Sequence, residues 1–227
     1  MATAGVLINP TAGRGNGKGL ALAAALKAHP HVSVNLLAQF SDLLPALRRM
    51  AESGVDTVFI SSGDGTVQAV QTFLAESGAF KTLPRICLLP HGTTNMTAAD
   101  LGFRQKSITA QAGFIARPEP GEIRSRATVR VANPRDGVPR HGMFLATGAA
   151  SEATRYAQVA FNDRGVKGSF ATSATLAGAV GKCLFSKANA FDPNRFDRPF
   201  PITVRADGET LCSGMQLLAL AGRQGNR

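Results

Sequence analysis

Short apolar runs recur along the first hundred residues, and each is followed by a polar loop and a stretch of helix-forming residues. The three clearest runs are residues 5–8, 55–60 and 86–89. The run at 55–60 is mostly β-branched or aromatic, which is typical of a strand buried on both faces of a parallel sheet. Residues 31–37 predict a further strand. Strand and helix thus alternate over residues 5–102, which predicts a parallel sheet with right-handed crossovers.

Helical spacing follows each of these strands. Residues 20–27 are rich in helix formers, and a second helix is predicted for residues 41–54. Within residues 66–78 the apolar side chains recur every three or four positions, which predicts a third helix. The hydroxyl of Thr66 is expected to cap it. Residues 103–116 predict another helix.

The pattern of predicted elements changes after residues 117–121, whose prolines and glycine predict a domain boundary. Beyond it, strands are predicted at 124–131, 142–147, 201–206 and 211–220, and helices at 151–161 and 169–185. The last two strands would form a hairpin about residues 207–209. The predicted fold is therefore an α/β, doubly wound, Rossmann-like parallel-sheet domain at residues 1–120. A β-rich, antiparallel and sandwich-like domain with helical insertions follows at residues 121–227.

The loops after the three clearest strands carry the polar residues that suggest chemistry. They are residues 9–19, with four glycines, residues 61–66, with the sequence Ser-Ser-Gly-Asp-Gly-Thr, and residues 90–95, with the sequence Pro-His-Gly-Thr-Thr-Asn. In an open α/β sheet the loops at the carboxyl ends of the strands line one crevice, where ligands bind. The three loops are therefore expected to converge on one site.

Asp64 is the most informative residue of these loops, because it stands between two glycines where a strand gives way to a helix. Glycine lets the backbone approach a ligand closely, and the free N–H groups of a first helical turn attract anions. A carboxylate among such groups is explained if a divalent cation joins it to phosphate oxygens. The alternatives are an ordinary Gly-Asp-Gly turn and, for residues 13–19, a flexible surface loop.

Two familiar nucleotide-binding signatures are absent from the first loop. A Walker A loop requires glycine and then Ser or Thr where the chain has Ala12 and Gly19. The dinucleotide fingerprint requires a glycine at one of the positions occupied by Lys18 and Leu20. The first loop therefore belongs to neither class.

Taken together, the loops resemble the diacylglycerol kinase catalytic domain family, which includes bacterial lipid kinases and sphingosine kinases. The resemblance rests on Asn9-Pro10-x-x-Gly13, Ser62-Gly63-Asp64-Gly65-Thr66 and Pro90-x-Gly92-Thr93-x-Asn95, and it is sharp over residues 5–102. It implies a kinase that uses ATP and Mg²⁺ to phosphorylate a hydroxyl of a lipid such as diacylglycerol or a sphingoid base. The first domain would bind the nucleotide and the second the lipid.

The resemblance also implies roles for individual residues. Asp64 would be catalytic and would act near the metal and the phosphates, while the metal ligands themselves are not identified. The residues expected to bind the nucleotide are Asn9, Gly13, Gly63, Asp64, Gly65, Thr66, Gly92, Thr93 and Asn95. Phosphoryl transfer suits such a site because it depends mainly on positioning and charge stabilisation.

Several positions depart from the family's usual pattern. Ser62 stands where a glycine is usual, His91 where a Leu-like residue is usual, and Met96 where an acidic residue is usual, while Gln68-Ala69 replaces Asn-Glu. They indicate a divergent member, in which His91 either contributes to an altered pocket or is an ordinary loop residue. Family members usually continue past the equivalent of this chain's last residue, with a further acidic catalytic residue. The second domain is therefore expected to be partial, and activity is expected to depend on the segment beyond.

Two other functions are compatible with these residues. A Gly-Asp-Gly-Thr turn also occurs in NAD kinases, which leaves a kinase for NAD or another small metabolite. The loss of acidic side chains at Ala69 and Met96 leaves a nucleotide-binding protein without catalysis.

Charge and composition bear on the partners. The net charge of +10 over 227 residues divides into +3 for residues 1–120 and +7 for residues 121–227. A basic second half would attract anionic lipid headgroups by ~1 kcal/mol per well-placed Lys or Arg, although a solvated basic face or weak, unspecific nucleic-acid attraction fits as well.

The sequence shows no signal peptide, no membrane-spanning run, and neither disulfide nor metal spacing among Cys87, Cys183 and Cys212. We therefore expect a cytoplasmic protein that acts peripherally at the inner face of the membrane.

Overall fold

The computed structural model describes residues 4–93, 95–103, 107–118, 123–149, 151, 199–206 and 208–222. These residues fall into two compact units, one ending at Met143 and the other running over Phe144–Gly222. The division of the chain into functional domains at residue 120 stays a prediction.

The first unit is built on a parallel sheet whose order is β2-β1-β3-β4. Its elements in chain order are β1 (Ala4–Ile8), α1 (Ala12–Gly15), α2 (Lys18–Leu26), β2 (Ser33–Leu36), a 3₁₀ turn (Phe40–Asp42), α3 (Leu43–Glu52), β3 (Thr57–Ser62), α4 (Asp64–Glu76), β4 (Arg85–Pro90), α5 (Met96–Leu101), α6 (Ile108–Ala116), β5 (Val129–Val131) and β6 (Arg140–Gly142). The alternation of strand and helix confirms the predicted α/β fold.

Helices cover both faces of this sheet because alternate residues of each strand point to opposite sides. Leu7 packs in one buried cluster with residues of α3 and α4. Its neighbours Val6 and Ile8 pack in a second cluster with residues of α2 and α6. Every residue of β1 and of β3 is buried, as their apolar composition predicts.

The strand register places the candidate loops side by side. Ile8, the last residue of β1, pairs with Ser61 of β3, and Ser61 pairs with Leu89 of β4. The three strands therefore end at one level, and the loops that follow them begin at the same edge of the sheet.

A short antiparallel hairpin, β5 paired with β6, closes the described part of the first unit. The second unit contains β7 (Phe144–Gly148), β8 (Phe200–Ala206), β9 (Glu209–Gln216) and β10 (Leu218–Gly222). Strand β8 pairs with β9, and β7 with β10, both antiparallel. The hairpin and the antiparallel character predicted for the second half are confirmed.

Element boundaries differ from the prediction in several places. The strand predicted at 124–131 shortens to Val129–Val131, and the one predicted at 211–220 divides into β9 and β10. The division has a physical reason, because β10 leaves the hairpin and hydrogen-bonds with β7 instead. The helix predicted at 103–116 is α6 (Ile108–Ala116). The helices predicted at 151–161 and 169–185 lie outside the described residues, apart from residue 151.

Candidate functional site

Asn9, the first residue after β1, ties the first loop to the second. Its backbone N–H donates to the Ser61 carbonyl at 3.0 Å, and its side-chain Nδ2 lies 3.4 Å from Thr66 Oγ1. Its Oδ1 accepts hydrogen bonds from the backbone N–H and the hydroxyl of Thr11, at 3.1 and 2.8 Å. Asn9 thus fixes the start of its own loop and reaches the first turn of α4.

The first loop also contacts the third, at His91. Asn16 donates from Nδ2 to the His91 carbonyl at 3.0 Å, while its Oδ1 accepts the N–H of Lys18 at the start of α2. Gly13 packs against the same carbonyl, because a Cβ at position 13 would lie 2.5 Å from it. Gly13 and Arg14 both have a left-handed backbone, at φ 59°. This tight turn brings the glycine-rich loop over the end of β4.

The second loop turns directly into helix α4. Gly63 is the N-cap residue, and its backbone carbonyl accepts the N–H of Thr66 at 3.1 Å. Asp64 lies in the first turn, and its Oδ1 accepts the Thr97 N–H at 3.2 Å, from α5. The prediction that the Thr66 hydroxyl caps the helix is wrong. That hydroxyl is buried and instead accepts a hydrogen bond from the Ser62 hydroxyl at 2.6 Å.

The third loop closes on itself and touches the second. Asn95 accepts the Gly92 N–H on its Oδ1 at 2.7 Å, and donates from Nδ2 to the Gly92 carbonyl at 2.8 Å. Its backbone is left-handed, with φ 53°. A Cβ on Gly92 would lie 2.4 Å from the Cα of Gly63. Two glycines therefore allow backbone-to-backbone contact between these loops.

Direct contacts thus join most of the predicted nucleotide-binding residues in a single cluster. The residues in it are Asn9, Gly13, Gly63, Asp64, Thr66, Gly92 and Asn95. Gly65 and Thr93 lie in the same loops and are exposed. Around Gly15, Gly17 and Gly65 no atom of the other described residues, apart from chain neighbours, lies within 4 Å of an added Cβ position, which leaves room for a ligand beside the backbone.

Comparison with protein families now identifies the chain. A sequence model of the diacylglycerol kinase catalytic domain matches residues 3–124, which is more than half of the chain. The chain belongs to the diacylglycerol kinase catalytic domain family. This confirms the resemblance drawn from the three loops.

Solved structures of the same family share the fold. Three structures from Bacillus anthracis str. Sterne, described as diacylglycerol kinase or putative diacylglycerol kinase, are each 20% identical and cover 97% of this chain, with TM-scores of 0.57, 0.60 and 0.57. The chain spans 63 to 65% of their length. A search of curated proteins gave no match.

His91, one of the departures from the family pattern, is buried with only 2% of its surface exposed. Its Nδ1 lies 2.8 Å from the Ser61 hydroxyl. Burial lowers the pKa of the ring, Gln111 of α6 opposes this shift, and the charge of Lys18 lowers the pKa further. Within the described residues, Nε2 of the ring has no hydrogen-bond partner. These surroundings favour the neutral ring, which faces inward.

Gln68, another departure from the family's usual residues, holds the β5–β6 hairpin on α4. Its Nε2 donates to the His141 carbonyl at 3.1 Å, and Thr72, one turn later, accepts the His141 N–H at 2.9 Å. Glu76 completes the attachment by pairing with Arg130 at 2.6 Å and with His141 Nε2 at 2.7 Å. These hydrogen bonds lower the pKa of Glu76 to about 2. Only the helical spacing of Gln68, Thr72 and Glu76 could have suggested this shared face.

An apolar groove of about 640 Å³ lies next to the cluster, against β4 and the second half of α4. Its large apolar lining residues are Leu74, Leu83, Ile86, Leu88, Leu101, Phe103, Ile123 and Met143, and Arg124 and Arg126 also line it. Thr97 belongs both to this lining and to the cluster, through its hydrogen bond to Asp64. The groove therefore adjoins the candidate catalytic carboxylate. The sequence patterns did not predict it, because its walls come from five separate segments.

Two searches restricted to the described residues bear on partners. None of their helices is long and apolar enough to cross a membrane. In the same residues, three or more His, Cys, Asp or Glu side chains never come together as a metal cluster would require.

Proposed function

We propose that this protein is a lipid kinase that uses ATP and Mg²⁺ to phosphorylate a hydroxyl group of a lipid such as diacylglycerol or a sphingoid base. The observation that carries the proposal is the convergence of the three loops on Asp64, within a chain of the diacylglycerol kinase catalytic domain family. The loops would supply the nucleotide site, and the groove beside Asp64 would supply part of the acceptor site.

The backbone around the cluster suits the triphosphate of ATP. Gly15, Gly17 and Gly65 leave open space beside their Cα atoms, and the N-termini of α2 and α4 both lie in the loops concerned. Free N–H groups at such helix starts bind phosphate oxygens. Lys18 is exposed in the first turn of α2 and adds a positive charge. Asn9, Gly13, Thr66, Gly92, Thr93 and Asn95 would shape the pocket around these groups.

Asp64 is the residue that would hold the Mg²⁺ ion together with phosphate oxygens. Mg²⁺ commonly binds through one or two carboxylates and substrate phosphates, rather than in a cage made wholly of protein ligands. A single carboxylate in a glycine-rich turn matches that donor set, and its Oδ1 is already oriented by the Thr97 N–H. When bound, the ion would neutralise charge that develops on the transferred phosphoryl group. Asp64 and the loop backbone would keep that group aligned with the acceptor.

The groove favours a lipid acceptor over a soluble one. Eight large apolar side chains line it, and an acyl or sphingoid chain placed there would exclude water from them, which stabilises binding by about 25 cal/mol per Å² of apolar surface. Because Thr97 connects the groove with Asp64, a hydroxyl at the head of such a chain would lie beside the phosphates. Arg124 and Arg126 also line the groove, and their charge would favour an anionic membrane lipid.

Two linked measurements test the proposal. Thermal unfolding with ATP and Mg²⁺, compared with ATP and a chelator, should show a Mg²⁺-dependent rise in Tm. At a ligand concentration of 100 Kd the expected stabilisation is about 2.7 kcal/mol. Transfer of label from γ-labelled ATP is then assayed against diacylglycerol, sphingosine and NAD. Transfer to a lipid supports the proposal, and transfer to NAD alone would replace it with a metabolite kinase. Stabilisation without transfer would indicate a nucleotide-binding protein, and no stabilisation would overturn the proposed nucleotide site.

A further inference from the structure

His91, in the third loop of the candidate site, contacts both of the other loops. Its carbonyl accepts the side chain of Asn16 from the first loop, at 3.0 Å. Its ring contacts Ser61, at the start of the second loop, through Nδ1 at 2.8 Å. Ser61 in turn accepts the backbone N–H of Asn9 on its carbonyl at 3.0 Å. His91 itself belongs to the third loop.

We propose that His91 is a positioning residue that keeps the three loops in their ligand-binding arrangement only while its imidazole ring is neutral. This inference rests on the proposed function, since the arrangement it controls is that of the proposed nucleotide site. The ligand affected is the phosphate chain of a nucleotide. Acidification is therefore expected to weaken its binding.

The hydrogen-bond pattern explains why the neutral ring is required. While the ring is neutral, Nδ1 and the Ser61 hydroxyl share one hydrogen bond in which either group can donate. The other ring nitrogen, Nε2, is buried and has no hydrogen-bond partner within the described residues. A charged ring carries protons on both nitrogens, so Nδ1 must donate to Ser61, and the Nε2 proton would be buried without an acceptor among the described residues. Ser61 is itself fully buried, so its hydroxyl could not turn toward water.

The surroundings of the ring also oppose a positive charge. Lys18, from the start of α2, is the charged group that acts on the ring, and its effect is repulsive. The other elements packed against the ring present neutral groups, namely Ser61 from β3 and Gln111 from α6. Burial itself disfavours the charged form. Protonation of His91 is therefore expected to move the ring away from Ser61. The first loop would move as well, because its Asn16 is bound to the His91 carbonyl.

The direction of the pH effect follows from linkage. The unfolded chain binds a proton at His91 at its ordinary pKa near 6.5, and the folded chain binds it only at lower pH. The stabilisation is complete above pH 6.5 and is lost as the pH falls from there through the pKa of the folded state. The loops should loosen in this same range.

The test follows ring and loops together by NMR in the ligand-free protein. The His91 ring signals, identified by their absence in His91→Gln, should titrate below the ordinary range of histidine. The amide signals of Asn9 and Asn16 should shift with the same midpoint, and this shift should be missing in His91→Gln and present in His31→Gln, which removes an exposed histidine. A His91 titration midpoint in the ordinary range of histidine would overturn the inference. Amide signals of Asn9 and Asn16 that do not change together with the ring signals would also overturn it. If neither variant folds, the His91 ring signals are assigned by their through-space contact with Ser61, and the midpoints of the unaltered protein decide.

The second test measures the affinity for Mg²⁺-ATP by calorimetry at different pH values. Between pH 8 and pH 5.5 the affinity should fall at least tenfold more in the unaltered protein than in His91→Gln, which controls for protonation of ATP itself. An affinity that rises on acidification would show that the charged ring attracts phosphate, and it would contradict the inference. Absence of binding at pH 8 would contradict the proposed nucleotide site instead, while the NMR arm would still decide the role of His91.

Discussion

Gly63 and Gly92 meet backbone to backbone, and a Cβ on Gly92 would lie only 2.4 Å from the Gly63 Cα. The same Cβ would lie 2.9 Å from Asn95 Oδ1, the atom that accepts the Gly92 N–H. Gly63 caps the helix that begins with Asp64. The position of the carboxylate relative to the third loop therefore depends on the lack of a side chain at residue 92.

Replacing Gly92 with alanine should separate the second and third loops. Backbone atoms cannot move aside as a flexible side chain can, so we expect Gly92→Ala to lose about 1–3 kcal/mol of unfolding free energy. Mg²⁺-ATP should stabilise the variant less than the unaltered protein. Urea unfolding with and without the nucleotide measures both effects.

The control for this change is Gly113→Ala. Gly113 is exposed within α6 and has open space about its Cβ position, so alanine should be neutral or should stabilise by about 0.5–1 kcal/mol. Equal effects of the two substitutions would contradict the role of the Gly63 and Gly92 contact.

Gly13 and Gly15 form a matched pair that separates backbone strain from steric contact. Both have a left-handed backbone, with φ 59° and 68°, so alanine costs each about 1–2 kcal/mol. Only at Gly13 would the Cβ also meet neighbours, at 2.1 Å from Asn16 Nδ2 and 2.5 Å from the His91 carbonyl. Gly13→Ala should therefore be less stable than Gly15→Ala by a further ~1–3 kcal/mol in urea unfolding. Similar losses would indicate that the first loop does not rest on His91.

The Glu76 ion pairs predict a loss of stability in acid. Hydrogen bonds from Arg130 and His141 lower the pKa of Glu76 from 4.5 to about 2. The unfolded state therefore binds more protons between these values, and the stabilisation, complete above pH 4.5, is lost as the pH falls toward 2. Glu76→Gln should show a smaller drop in urea midpoint between pH 6 and pH 3 than the unaltered protein. Glu52→Gln, at an exposed site, should retain the full drop, and an unchanged drop in Glu76→Gln would refute the assignment.

A charge placed in the apolar groove should weaken lipid phosphorylation selectively. Leu83 lines the groove and is 67% exposed, so Leu83→Glu is expected to fold. The kcat/KM for a long-chain diacylglycerol should fall about tenfold, because a carboxylate resists burial against an acyl chain. The Tm increase with Mg²⁺-ATP should remain. Val138→Glu, 55% exposed and outside the groove, should leave lipid phosphorylation unchanged, and equal losses in both variants would argue against acceptor binding here.

The sequence predicted the first unit well because its signals are local. The apolar composition of β1 and β3 dictates burial on both faces, and the register rule for parallel strands then brings the loops after Ile8 and Ser62 to one edge. Glycines in these loops marked close backbone contacts, as Gly13 and Gly92 now show. Family membership follows from the same residues.

What the sequence could not predict depends on contacts between distant segments. Strand β10 looked like a continuation of β9, since local alternation is the same whether a strand pairs with its neighbour or with β7. A threonine at the start of the helical pattern is typical of an N-cap, but α4 begins two residues before Thr66, whose hydroxyl instead accepts a hydrogen bond from Ser62. The burial of His91 depends on Ser61 and on Gln111 of α6, neither of which is near it in the chain.

The most direct test of the central claim compares label transfer from γ-labelled ATP to diacylglycerol by the unaltered protein, Asp64→Asn and Asp56→Asn. Asp56 directly precedes β3, the strand that leads to Asp64, and pairs with Arg85 at the protein surface. We predict that Asp64→Asn loses transfer at least a hundredfold while keeping its fold, and that Asp56→Asn retains transfer within a few-fold. Transfer that survives in Asp64→Asn at the level of Asp56→Asn would contradict the account of the three loops as a kinase site.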